Sequence, residues 1–236
     1  SALANLGKFA GPATTAALLK VLTTGTPAVK ADVISFLGNS GTEAALPAIT
    51  RGLADKSPAI KIASIGALGK LGGESGIMKL LPLLKSNDQG VVGAVKSVLL
   101  TTKGNAVIDQ VASAIPGVSD VAKVALLDVL ASRRAESKLG VVTGLLTSNN
   151  PAVKSAAFSA LKGVVSGNDL PQLFGLLNSV KDGANLAGVQ DAVKSAIRSQ
   201  GSGSQQVSQL LSNMNQSGNK AAYLPVLASL GGSQAL

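Results

Sequence analysis

Aliphatic positions along this chain recur with a long period. One template runs through residues 26–38 (TPAVKADVISFLG), 57–69 (SPAIKIASIGALG), 119–131 (SDVAKVALLDVLA) and 150–163 (NPAVKSAAFSALKG), and residues 1–7 (SALANLG) match its second half. The last aliphatic position of the template gives a register that falls at Leu6, Leu37, Leu68, Leu100, Leu130, Leu161, Ile197 and Leu230, at intervals of 30 to 36 residues. A second series, Leu22, Leu53, Leu84, Ile115, Leu146 and Leu177, runs between these with a constant interval of 31. Two interleaved series with one period mean two elements per repeat, and a period of this length is the signature of a stacked repeat fold.

Both elements read as helices. Val153, Ala157, Ala160 and Leu161 form one stripe at 3.6-residue spacing, without the alternation of a strand. Thr26-Pro27, Ser57-Pro58 and Asn150-Pro151 each set a capping side chain before a proline, which fits the first helical position because the N–H it lacks has no partner there. Gly38, Gly69 and Gly163, with the pairs Gly72-Gly73 and Gly231-Gly232, read as helix stops. The first elements carry their own stripes, such as Ile77, Leu81 and Leu84 or Leu139, Val142 and Leu146. Helices of about three turns are marginal alone, so each pair must bury its stripe against neighbouring pairs. The expected fold is therefore all-α, a right-handed α-solenoid of about seven helix pairs plus an N-terminal half repeat, forming one domain over residues 1–236. The spacing from Leu177 to Ile197 exceeds its equivalents by about five residues, which places an inserted loop at residues 181–185. The register opens half way through a template and without a starting Met, so the chain reads as an excerpt of a longer protein.

The pattern x-P-x-[VI]-K-x-x-A/S-x-x-A-L-G resembles short HEAT-like repeats of the phycobilin-lyase type, an armadillo-like family, over essentially the whole chain. A narrower likeness covers residues 130–198, where LASRRA is followed by NNPAVKSAAFSALKGVV and NDLPQLFGLL. That order is similar to the HEAT-like region of exported bacterial proteins that also carry a 3-keto-disaccharide (glucanase-like) hydrolase domain. Nothing of that catalytic domain is present in these residues. The narrower likeness implies a periplasmic or cell-envelope setting, with the cytoplasm left open.

Composition narrows the chemistry. The chain has no His, no Cys and no Trp, which removes imidazole and thiolate catalysis, disulfides and structural zinc. No catalytic residue, cofactor or metal ligand is assigned. Asp32, Asp128 and Asp191 lie inside second helices but in different repeats and at different template positions, a poor basis for the paired carboxyls of sugar hydrolysis. Lys+Arg outnumber Asp+Glu by 21 to 12, and the pI is near 9.9, so a polyanionic partner has to be weighed. Lys30, Lys61, Lys123 and Lys154 share one template position and form a polar ladder that either bonds carbonyls and turn acids such as Asp55 and Asp88 or presents a partner surface. The ladder breaks at Gly93, Gln190 and Tyr223, and there are no interleaved aromatics for bases to stack on, which weighs against nucleic acid. Arg133, Arg134 and Lys138 are the one compact basic cluster, either a helix C-terminal device or an anion site. The sequence thus points to a non-catalytic protein-interaction or spacer scaffold within a larger bacterial protein, holding a protein or polymer on its concave face, without membrane insertion. Two other readings stay open: the accessory region of a sugar-derivative (3-keto-glycoside) hydrolase, and a basic HEAT-like nucleic-acid-binding scaffold.

Overall fold

The computed structural model describes residues 11–201 and 204–230, in which there are fourteen α-helices and no strand. The helices come in seven pairs: α1 (Pro12–Thr24) with α2 (Pro27–Asn39), α3 (Leu46–Gly52) with α4 (Pro58–Leu71), α5 (Gly73–Leu80) with α6 (Gln89–Thr101), α7 (Ala106–Ala114) with α8 (Asp120–Ser132), α9 (Leu139–Gly144) with α10 (Pro151–Val164), α11 (Leu170–Ser179) with α12 (Gly183–Ser199), and α13 (Ser204–Gln216) with α14 (Leu224–Leu230). They group into two compact units, Ser1–Ala125 and Leu126–Leu236, the division falling within α8. The expected N-terminal half repeat, with Leu6, and the Gly231-Gly232 stop lie outside the described residues. No described helix is long and apolar enough to cross a membrane.

Within each unit the second helices pack on one another in succession, α2 on α4 on α6 in the first and α10 on α12 on α14 in the second. Their starts follow the cap chemistry of the sequence. Thr26 accepts from the Val29 N–H at 3.4 Å, and Asn150 from Ala152 and Val153 at 2.9 and 3.2 Å. Ser57 departs from this, for its side chain caps nothing. Its own N–H instead donates to Asp55 at 2.8 Å, and the N–H groups of Asp88, Asn150 and Asn219 donate in the same way to Ser86, Ser148 and Ser217. A polar side chain two residues before the cap therefore closes the tight turn inside four of the pairs, the local competition with helix that makes Asp and Ser turn formers.

The register residues Leu37, Leu68, Leu130, Leu161 and Ile197 are all buried. Leu100 is not the third anchor: it is 37% exposed, whereas Leu99 is fully buried. Asp88 caps α6 through Gly90 and Val91, so the helix starts at Gln89 and its tenth following residue is Leu99, just as Leu37 follows Pro27 and Leu68 follows Pro58. Leu230 is half-buried, and the last pair buries Tyr223, Val226 and Leu227 instead.

Two further expectations are corrected by packing. Gly38, Gly69 and Gly163 sit inside α2, α4 and α10, where they are contact points rather than stops. A Cβ at Gly38 would lie 2.6 Å from the Ala67 Cβ, at Gly69 2.5 Å from Val98 Cγ1, and at Gly163 2.3 Å from the Ala131 carbonyl oxygen. Gly72 and Gly73, by contrast, do end α4, and Gly73 takes the left-handed φ of 51° that favours glycine. The residues placed in an inserted loop are mostly helix: Asp182 accepts from the Asn185 N–H at 3.0 Å and starts the 17-residue α12 at Gly183. The insertion adds helical turns because an Asp cap sits ahead of it.

Candidate interaction surfaces

The fifth residue of the template, seven before the anchor, is where the lysines stand. Lys30 donates to the Thr23 carbonyl at 3.4 Å, and Lys123 pairs at 2.8 Å with Asp120 of its own helix. Lys61 and Lys154 are half-buried, and their side chains make no hydrogen bond or ion pair among the described residues. In α6 the corrected register puts buried Val92, not Gly93, at this position. In α12 the position belongs to Gln190, whose side-chain amide donates 2.9 Å to the Ala222 carbonyl of the next pair. In the last pair it is Tyr223, fully buried, with its phenol donating to Asn178 at 2.9 Å. Burial pushes that phenol above its ordinary value of 10, against smaller opposing effects of Asn178 and Ser217.

Arg133, Arg134 and Lys138 follow α8. Arg133 and Lys138 are engaged with other groups, while the Arg134 side chain has no partner among the described residues. The Arg134 N–H bonds the Ala131 carbonyl at 3.1 Å and the Ala135 N–H bonds Leu130 at 3.0 Å, the paired closure of a Schellman motif. Arg134 takes the left-handed position of that motif with φ 51°. Instead of gathering with its sequence neighbours, it lines a groove of about 710 Å³ in the second unit with Lys162 of α10 and Lys194 and Arg198 of α12. Two carboxylates, Glu136 and Asp191, share the lining, and Asp191 pairs with Lys194 at 3.2 Å. This convergence was not read from the sequence, because the four cations lie in three different helix pairs. A signal for it existed in the residue four after the anchor, which is Gly41 after Leu37 and Gly201 after Ile197 but Arg134 after Leu130.

Asp32, Asp128 and Asp191 are all exposed, and Asp128 and Asp191 are already engaged. Among the described residues no group of three or more acidic, His or Cys side chains is placed to hold a metal ion. A second groove, of about 580 Å³ in the first unit, is apolar; it runs along Met78, Leu81, Pro82 and Val118, with Met78 58% exposed.

Residues 15–99, which run from α1 to α6, match the family model of HEAT repeats. The helices after residue 101 continue in pairs. Among solved structures, the complex of CpcE and CpcF of phycocyanin lyase from Nostoc sp. PCC7120 is similar over 94% of this chain and 90% of that chain, with 16% identity and a TM-score of 0.46. No curated protein matches the chain.

Proposed function

We propose that this chain is a non-catalytic interaction scaffold of a larger bacterial protein, and that the faces of its second helices carry the partner. The observation that supports this is the pair Lys61 and Lys154, half-buried at one repeat position, whose side chains bond no group among the described residues. Each lysine covers apolar surface with its stem and leaves its ammonium for solvent or for an external carboxylate or carbonyl, which would supply a charge-assisted bond. Several acids are tied up in backbone caps, as Asp88, Asp169 and Asp182 are.

The test is affinity capture with the full chain, compared with Lys61→Met and Lys154→Met and combined with turnover assays on glycosides, 3-keto-glycosides, phosphoesters and peptides. A partner retained by the parent chain, lost by the lysine variants at unchanged unfolding midpoint, and no turnover are the expected results. Turnover by the purified chain would sink the non-catalytic reading.

A further inference from the structure

The backbone at Arg134 holds a conformation that glycine takes elsewhere in this chain. Gly41 and Gly201, four residues after the anchors Leu37 and Ile197, have φ of 74° and 80°; Arg134, four after Leu130, has φ 51°. An L side chain is disfavoured there, and arginine is not among the residues that visit this region readily. A cap alone would be better served by glycine, as the other two positions show. The arginine side chain therefore has some use that offsets the strain, and strain of this kind gathers at functional sites. That side chain makes no internal ion pair or hydrogen bond among the described residues. It faces the second-unit groove, where Lys162 and Arg198 are equally without ionic partners and only Lys194 is matched, by Asp191.

We propose that this groove binds an acidic segment of a partner polypeptide, with Arg134, Lys162 and Arg198 taking its carboxylates. The inference rests on the scaffold reading in that the occupant is a protein, but it names a surface separate from the lysine ladder. Guanidinium groups match carboxylates through two parallel hydrogen bonds, and two of the three unpaired cations are arginines. The lining also contains the Glu136 and Asp191 carboxylates. These suit a peptide, whose backbone N–H groups can donate to them, and they repel an unbroken run of phosphates. The aromatic residues of the second unit, Phe158, Phe174 and Tyr223, are all buried, so the groove offers nucleic-acid bases nothing to stack on.

Fluorescence anisotropy of labelled hexaglutamate with the full chain tests this, with a hexathymidylate oligonucleotide as the rival probe. Hexaglutamate should bind at low salt. Arg134→Gly should weaken it by about tenfold, the loss expected for one charge-assisted contact, while raising the unfolding midpoint because the backbone strain is gone. The pair Lys162→Gln and Arg198→Gln should weaken it at least as much, and Lys70→Gln with Lys85→Gln, in the first unit, should leave it within about twofold. Absence of hexaglutamate binding overturns the proposal even if capture through Lys61 and Lys154 persists, since that capture tests the ladder. Equal loss in the Lys70 and Lys85 variants overturns it too, by reducing the effect to diffuse charge. Tighter binding of the oligonucleotide would replace the acidic peptide with nucleic acid.

Discussion

The Tyr223 phenol donates to the Asn178 side-chain oxygen at 2.9 Å across 45 residues of sequence, and the same oxygen accepts from the Ser217 hydroxyl at 2.5 Å. Asn178 follows the buried Leu177 near the end of α11, so one amide serves two buried donors that belong to the next helix pair. Tyr223→Phe removes a donor and leaves the acceptor satisfied by Ser217, which should cost about 1 kcal/mol. Asn178→Leu strands both hydroxyls and should cost about 3 kcal/mol. Urea unfolding of the full chain should rank the two in that order; equal midpoints for the two variants would show that the network carries little stability.

The same phenol sets an expectation at alkaline pH. Its value is raised in the folded state by burial, so the folded chain prefers the neutral form more than the unfolded chain does. The resulting stability is fully present below the unfolded value of 10 and is lost as pH rises through the higher folded value. Between about pH 9 and 12 the parent chain should lose stability more steeply than Tyr223→Phe, whose difference curve cancels the shared lysine titrations. Parallel curves would show that the phenol ionises as readily folded as unfolded.

Glycines inside helices divide into two kinds. Gly38→Ala sets a methyl 2.6 Å from Ala67 where α2 meets α4 and should destabilise by about 1–3 kcal/mol. Gly66→Ala, in α4 with nothing within 4 Å of the new Cβ, should stabilise by about 0.5–1 kcal/mol through backbone entropy. Thermal unfolding that moves both variants in one direction would contradict the packing assigned to Gly38.

Repeat period and helix pairing were legible because burial must recur wherever one pair stacks on the next. Register failed at residues 98–100, where Val-Leu-Leu gives three adjacent aliphatic positions, and only the Asp88 cap decides which faces inward. Gly38, Gly69 and Gly163 looked like stops since helix contact and helix termination ask for the same residue near the same end. Arg134 stands with Arg133 and Lys138 as a cluster in the sequence; its groove partners Lys162, Lys194 and Arg198 come from other pairs, and periodicity says nothing about which cations of different pairs converge.

Ser64 and Gly52 offer the sharpest check on interior packing. Ser64 is fully buried in α4, and its hydroxyl oxygen finds no hydrogen-bond partner among the described residues. Removing an unpartnered buried hydroxyl sheds a desolvation cost, so Ser64→Ala should be neutral or stabilising by about 1 kcal/mol. A Cβ at Gly52 would sit 2.0 Å from that oxygen but 3.1 Å from the Ser64 Cβ. Gly52→Ala should therefore destabilise by about 1–3 kcal/mol in the parent chain and by clearly less in the Ser64→Ala background. The double-mutant cycle should show a coupling of about 1 kcal/mol or more. Additive costs would mean that the hydroxyl turns away from Gly52 and has found a partner elsewhere, and then Ser64→Ala alone should prove destabilising.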